Sequence, residues 1–390
     1  IRDLFLRWRG HRICLVGDIQ RMYRQILVRK EDTDVQRIVW RRTPDGPIED
    51  WRLRTVTYGT SSAPYLAIKT LRQLANDERE KYPRAAHVLE SDFYTDDLLS
   101  GGETEDEVIS LRSELSQLLN SGGFVLHKWG SNSINVLQNI SGNSSLQESH
   151  EISMGNSVKA LGIKWKPKED CFQLHIHFSQ IKSKITKRYI LSEIAKIYDP
   201  LGWLSPVVIV AKVLLQKLWL LGLGWDDELP ENVTNEWSAF QRDVNAMGEI
   251  YLPRWLGLSK GNVKVEIHGF SDASQVAFSG VVYVRIIDDE DKVSVKMVTA
   301  KTRVAPVKQM SIPRLELCGA VLTAKLMYRV KKCLNVDDSN VYGWTDSTIV
   351  LAWLQKHPNC WKTLVGNRVA EILNLTFPKQ WRHISTKENP

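Results

Sequence analysis

Little in this sequence suits an oxidising or metal-stapled framework. Its five cysteines, Cys14, Cys171, Cys318, Cys333 and Cys360, are widely spaced, odd in number and never arranged as a CxxC pair. That argues against a disulfide scaffold and a cysteine-based zinc site, and it suits a reducing compartment. No secretory leader pattern opens the chain, so the N-x-Ser/Thr triplets at Asn139, Asn143, Asn232 and Asn374 read as chance. His175 and His177 share a strand face but have no third ligand near in sequence, so they read as half-exposed strand histidines. Uninterrupted apolar runs are scarce too. The nearest, Leu204–Leu221, carries Lys212, Gln216 and Lys217 in its middle. A central Lys costs about 2.5–3.5 kcal/mol on insertion scales. A buried helix of a soluble protein is expected there, and no membrane partner.

What is present is ordinary globular composition, 43% hydrophobic and 25% charged over 390 residues, enough for two or three domains. The formal net charge is +7, and its distribution says more than the total. Residues 1–54 hold 13 Lys/Arg against 8 Asp/Glu, and residues 292–332 hold 10 against 1. Residues 77–117 reverse this with 12 acids against 4 bases. Basic flanks around an acidic centre suit a polyanion held over a metal site.

The acidic centre contains Phe93-Tyr94-Thr95-Asp96-Asp97-Leu98-Leu99-Ser100-Gly101, which reads as strand, tight turn, strand. Successive side chains on a strand point to opposite faces, so adjacent Asp residues converge only at a turn. A divalent cation is one reason for such a turn, and a solvated surface turn is the other reading. Asp18 ends an apolar strand, Ile13–Gly17, where it could bind metal or cap a helix. Near the other end Asp272 and Asp346 terminate two strands, and Glu316 falls in the expected first turn of a helix over Arg314–Leu334. Each acid alone has a capping or dipole reading; the three together do not.

Periodicity gives an α+β organisation for residues 1–165: strand, a hairpin over Val28–Thr57, a helix from Tyr65 to Glu80, strand-turn-strand, a helix from Glu103 to Asn120, and two strands, the last running through Val158–Trp165. Leu111, Leu115, Leu118 and Leu119 are the expected core face of the second helix. Residues 166–260 read as helical and basic (Lys182, Lys184, Lys187, Arg188), without a chemical signature, ending in a linker at Tyr251–Trp255. Residues 261–390 read as three strands, helix, strand, two helices and a last strand: an α/β domain on a five-stranded mixed sheet.

Gly17-Asp18-Ile19-Gln20-Arg21-Met22-Tyr23, Tyr58-Gly59 to Ala63-Pro64, and Tyr94-Thr95-Asp96-Asp97, in that order, resemble the palm motifs of reverse transcriptases. Phe270-Ser271-Asp272-Ala273-Ser274, Glu316 and Thr345-Asp346-Ser347 resemble a retroelement ribonuclease H. Asp92 to Gly101, Ile197-Tyr198-Asp199-Pro200-Leu201-Gly202 and Pro313-Arg314-Leu315-Glu316-Leu317 are similar to the BEL/Pao class of LTR retrotransposon Pol polyproteins. The resemblance covers nearly the whole chain. It implies a reverse transcriptase palm with partial fingers over 1–165, a helical thumb or connection over 166–260, and a ribonuclease H-like domain over 261–390.

The same resemblance implies roles. Asp18 and Asp96, supported by Asp97, would hold two Mg²⁺ ions for phosphoryl transfer; Asp272, Glu316 and Asp346 would hold two more for RNA hydrolysis, with Mn²⁺ the alternative ion. Tyr23 corresponds to the aromatic that screens the sugar 2′ position, and Gly59 and Pro64 to the loop beside template and nucleotide. Lys128 corresponds either to the lysine that protonates pyrophosphate or to an ordinary surface lysine. Leu161-Gly162 corresponds to the strand that grips the primer end. The implied activity is RNA-directed DNA polymerase with ribonuclease H, acting on RNA template, DNA primer, RNA–DNA hybrid and deoxynucleotide triphosphates. Protease and integrase domains are expected in the whole polyprotein. An intracellular setting follows, a cytoplasmic particle or the nucleus.

Two departures from the family pattern qualify this. Only 17 residues precede Asp18, so most of the fingers are expected to be missing, and the fourth ribonuclease H carboxylate is expected beyond Pro390. The alternative function is therefore a non-catalytic nucleic-acid-binding remnant of a decayed or co-opted element.

Overall fold

The computed structural model describes residues 1–138, 157–179, 184–258 and 263–390. Asn139, Asn143 and Lys182 lie outside the described residues. The chain folds as two compact units, one of residues 11–170 and one that joins residues 1–10 to 171–390.

The 11–170 unit is built on a four-stranded antiparallel sheet in the order Phe93–Tyr94, Asp97–Gly102, Ile13–Ile19, Leu126–Gly130. The central strand is apolar because it is covered: Cys14, Leu15, Val16 and Ile19 are buried. The helix Glu105–Ser121 starts where Thr104 caps it, the hydroxyl accepting from the Glu107 amide, while the Glu107 carboxylate accepts from the Glu103 amide. Its Leu111, Leu115, Leu118 and Leu119 are all buried, as their spacing requires. Two other helices, Ala63–Asp77 and Pro83–Ser91, pack into the same core. The second of these has too short a pattern for the sequence to reveal. The hairpin is shorter than its alternation suggests, Arg37–Trp40 against Glu49–Arg52.

Val158–Trp165 is not one strand. Val158–Ala160 and Ile163–Lys166 form a tight hairpin, Ala160 facing Ile163, and Leu161 and Gly162 form its turn with φ of 43° and 88°. Two consecutive positive φ values are what a two-residue hairpin turn matched to strand twist needs, and Gly supplies one without steric cost. The alternation of residue types runs straight through the turn, which is why it reads as continuous strand.

In the other unit the expected five-stranded mixed sheet is present. Its strands are Lys264–Ala273, Ala277–Ile287, Val293–Val304, Val341–Thr345 and Trp381–His383. In space they run third, second, first, fourth, fifth. The first three form an antiparallel meander; the fourth runs parallel to the first and the fifth parallel to the fourth. The helix Ile312–Leu334 covers one face. It comes close because glycines permit it: a Cβ on Gly280 would stand 2.4 Å from the Thr323 hydroxyl oxygen, and one on Gly319 would stand 3.1 Å from the Asp272 carbonyl oxygen. The helix begins at Ile312, two residues earlier than expected, so Glu316 falls in its second turn.

Residues 171–258 contain three helices, Lys187–Ala195, Ser205–Leu220 and Glu231–Ala246. The expected linker at Tyr251–Trp255 is instead structured: Ile250–Pro253 pairs with Cys171–Leu174, and Arg254 is fully buried. Ser205–Leu220 buries Ala211, Leu214 and Leu218 and exposes Val210 and Trp219. Among the described residues no helix is long and apolar enough to cross a membrane. The His175 and His177 rings stack in parallel, 6.0 Å apart, and both side chains are exposed.

Two buried arginines tie this unit together. Arg9, 1% exposed, donates to the carbonyls of Pro253, Arg254, Met297 and Val298 and lies over the Trp203 ring. Arg254 donates to the Trp8 carbonyl. Asp199 is equally occupied: its carboxylate accepts from the amides of Gly202, Trp203 and Leu204, which sets the start of the following helix. Next to it the Leu201 carbonyl accepts from the Ala300 amide and the Thr299 hydroxyl.

Candidate active sites

In the 11–170 unit, backbone register brings the first set of acids together. Asp18 faces Asp97 across the two central strands, and the Ile19 amide donates to the Asp96 carbonyl at 2.9 Å. Tyr94 pairs with Asp97, leaving Thr95 and Asp96 as a two-residue turn. Thr95 holds φ at 57°, a conformation that costs a β-branched residue energy. The strand-turn-strand expectation is met, with Asp96 on the turn and Asp97 opening the next strand.

On the other flank a bulge shapes the site. Val16 pairs with Gly130 but Asp18 with His127, so the 126–130 strand carries one extra residue. Lys128 sits in that bulge with φ of 52°, and its Nζ lies 3.4 Å from Asp18 Oδ2. Bulges re-aim side chains in this way. His127 Nδ1 donates to the Asp18 carbonyl at 2.8 Å. Gly17 lets the Trp129 ring pack closely here, since a Cβ would stand 3.3 Å from it.

Electrostatics show how crowded the acids are. Burial, then the Asp96 and Asp18 charges, push the Asp97 carboxyl up to about 6, with Lys128 opposing. Asp96 is raised by burial and by Asp18, against its own backbone hydrogen bond and Lys128. Burial first, then the Asp96 charge, raises the Tyr23 hydroxyl, and the Tyr23 ring meets Tyr58 edge to face at 5.1 Å. Asp18, Asp96, Asp97, Lys128 and Tyr23 therefore share one neighbourhood. Gly59 holds φ at 82° with open space where a Cβ would go, and Pro64 opens the Ala63–Asp77 helix. Neither makes a side-chain bond to the acids among the described residues. Leu161 and Gly162 occupy a hairpin turn rather than a strand.

The second set lies in the other unit. Ser271 pairs with Thr345 on adjacent parallel strands, so Asp272 and Asp346 are the next residues along, side by side. Desolvation and then the Asp346 charge raise the Asp272 carboxyl, while the Ala273 amide, donating to Oδ1 at 2.7 Å, opposes. Asp346 Oδ2 accepts from the Thr386 hydroxyl at 2.8 Å. Asp346 Oδ1 is buried and has no hydrogen-bond partner. Glu316 is one turn before Gly319, where a Cβ would stand 3.1 Å from the Asp272 carbonyl oxygen, and residues three apart share a helix face. Asn389, which the sequence did not single out, donates to the Ser271 carbonyl at 3.1 Å. A cleft of ≈ 480 Å³ beside Asp272 is lined by Ser279, Tyr283, Trp203 and Pro206.

Both sets suit hard divalent cations in donor type and charge. A cation would relieve the mutual repulsion around Asp97 and satisfy the orphaned Asp346 oxygen. Among the described residues, no three His, Cys, Asp or Glu side chains form a group that could hold one metal ion.

Residues 186–347 match the family model of the Pao retrotransposon-like RNaseH-like domain. That span includes Asp272, Glu316 and Asp346. No curated protein matches the chain. Among solved structures, the chain is similar to a foamy viral protease-reverse transcriptase dRH in complex with double-stranded DNA, at 13% identity and TM-score 0.54, over 98% of this chain and 58% of that one. It is also similar to a foamy viral protease-reverse transcriptase in complex with RNA/DNA hybrid, at 13% identity and TM-score 0.55, over 99% and 46%. The chain thus spans about half the length of the solved structures it matches, and at this identity the likeness shows the fold. Residues 186–347 are thus similar to the Pao retrotransposon-like RNaseH-like domain, and the chain shares its fold with the foamy viral protease-reverse transcriptase structures.

Proposed function

We propose that this chain carries the polymerase palm and the ribonuclease H of a retroelement reverse transcriptase: residues 1–165 the palm, 166–260 the connection and 261–390 the ribonuclease H. It would extend a DNA primer on an RNA template from deoxynucleotide triphosphates and cleave the RNA strand of RNA–DNA hybrids. The observation that carries this reading is that Asp272 and Asp346 directly follow the paired Ser271 and Thr345 on adjacent parallel strands, with Asp346 Oδ1 buried and unbonded. An orphaned buried carboxylate oxygen costs about 1–3 kcal/mol or more. A bound cation would remove that cost.

Asp272, Glu316 and Asp346 would hold Mg²⁺ or Mn²⁺ in the ribonuclease H, and Asp18, Asp96 and Asp97 in the palm, two ions per site. When bound, the ions supply charge stabilisation to an in-line phosphoryl transfer. The chain's own groups do the rest. The Thr386 hydroxyl fixes one oxygen of Asp346 so that the other faces inward. Lys128 offsets negative charge beside Asp18 and can donate a proton to a leaving phosphate. Tyr23, packed on Tyr58, presents a ring edge next to Asp96 where a sugar would be screened.

Metal-dependent cleavage of a labelled hybrid, with primer extension on an RNA template, tests this. Asp272→Asn should abolish cleavage alone and Asp96→Asn extension alone; unaffected activity in either variant refutes that site. The second reading is a nucleic-acid-binding remnant without turnover. Salt-dependent hybrid binding with no Mg²⁺-dependent product would establish it.

A further inference from the structure

A second concentration of charge lies in the unit of residues 1–10 and 171–390, made by residues other than Asp272, Glu316 and Asp346. A cavity of ≈ 610 Å³ is lined by Arg2, Lys301, Arg303, Lys325 and Arg329, together with Glu371 and the apolar Leu322 and Leu326. Two of its cations are committed: Lys325 pairs with Glu371, and Arg329 lies 4.0 Å from Asp3. Arg2 donates through Nε to the Pro200 carbonyl. Lys301 and Arg303 have no carboxylate partner among the described residues. Burial, then Arg2, Arg303, Arg329 and Lys212, all depress the Lys301 ammonium, with no acid opposing them. Like charges converging on a partly enclosed space are stabilised by an anion, and the planar guanidiniums suit phosphate oxygens.

Position narrows the class of anion. Lys301 pairs with Gly280 and Arg303 with Phe278, and these pair with Ser271 and Ala273. The two cations thus sit two strands, about 10 Å, from the residues flanking Asp272, on the sheet face covered by the Ile312–Leu334 helix and opposite the Asp272 side chain. On the covering helix, Lys325 and Arg329 lie nine and thirteen residues beyond Glu316, or about 14–20 Å at 1.5 Å per residue. A nucleic-acid strand advances about 3.4 Å per phosphate. A backbone that passes Glu316 and follows this helix therefore reaches the cavity within about four to six nucleotides. We propose that the cavity lined by Arg2, Lys301, Arg303 and Arg329 is a phosphate-binding site that grips the backbone of a nucleic-acid strand leading away from Glu316 along the helix-covered face of the sheet. The proposal rests on the hybrid-cleaving reading for the identity of the strand and on the cavity alone for the anion.

The test is anisotropy of a fluorescent RNA–DNA hybrid with the full chain in EDTA, from 50 to 300 mM NaCl, so that binding is read without turnover. Each phosphate contact contributes about 0.9 to the slope of log affinity against log salt. Lys301→Gln/Arg303→Gln should lower the slope by about 1.8 and weaken binding about tenfold at 100 mM salt. The charge-conserving Lys301→Arg/Arg303→Lys should keep both, with thermal unfolding confirming that each variant folds. An unchanged slope in the folded Gln variant, or no hybrid binding by the wild type, overturns the proposal. So does protection of the wild type alone by inorganic phosphate with hybrid binding unaffected, which would make the site one for free phosphate. Failure of the catalytic reading is separate: it appears as Mg²⁺-dependent cleavage that survives Asp272→Asn.

Discussion

Replacing Asp97 by Asn should stabilise the protein, and only above mildly acidic pH. The Asp97 carboxyl is raised from an ordinary 3.8 to about 6, by burial first and then by Asp96 and Asp18. A carboxylate raised on folding binds its proton more tightly in the native state. Its contribution to stability is therefore full below about pH 4 and is lost as pH rises through about 6. Two units correspond to about 3 kcal/mol. The side chain is only half-buried, so solvent screening reduces this to about 1 kcal/mol. For a unit of this size that is a Tm change of about 2–4 °C. Thermal unfolding in EDTA should show Asp97→Asn melting above wild type by that amount at pH 7.5 and level with it at pH 4.5. Millimolar Mg²⁺ at pH 7.5 should raise the wild type more than the variant, because the cation relieves the same repulsion. Equal differences at both pH values, or a variant that melts lower at pH 7.5, would show that Asp97 is an ordinary packed strand residue.

Arg9→Met should lower the urea midpoint by an amount equivalent to about 3 kcal/mol, since it leaves four backbone carbonyls short of a donor. Arg9→Lys should recover little of this, because one ammonium cannot span that fork. Gly202→Ala should be at least as damaging: Gly202 holds φ at 80° and a Cβ would lie 1.8 Å from the Ala300 carbonyl oxygen, so soluble yield and Tm should both fall. Asp199→Ala removes the acceptor of three amides and should cost about 2–3 kcal/mol in chemical denaturation. Lys128→Ala removes the cation that holds Asp96 and Asp97 down, so a carboxyl-detected NMR titration should find both moved further upward.

What the sequence reveals is local chemistry and pattern. Asp18, Asp96 and Asp97 are legible because strand ends and turns are marked by their neighbours, and the five-stranded sheet because its strands and helices are long and strongly periodic. Leu161-Gly162 reads wrongly because apolar alternation does not register a reversal of direction. Residues 166–260 look chemically empty because Asp199 acts on backbone amides, which every sequence has. The basic count of residues 1–54 misleads in a more instructive way. Arg9 contributes to that count, yet it is buried against carbonyls from residues 253 to 298 and offers no charge to a polyanion. Only long-range packing separates a structural arginine from a ligand-facing one.

That distinction also orders the remaining charge. Arg9, which holds the fold, is saturated by four carbonyls, and the exposed Arg188 is matched by Asp226 in a bidentate pairing. The groups assigned to function are the unsaturated ones. Asp97 and Asp96 are held close to like charge, Asp346 keeps a buried oxygen unbonded, and Lys301 and Arg303 face other cations. Each arrangement costs stability in the isolated chain, and each has the sign a nucleic-acid enzyme needs there, negative where cations bind and positive where phosphates do. A fold under selection for stability alone would neutralise such sites with single substitutions, Asp97→Asn being the simplest. Their coexistence in two separate units, each with its own core, is the argument that the unpaired charge is kept for binding.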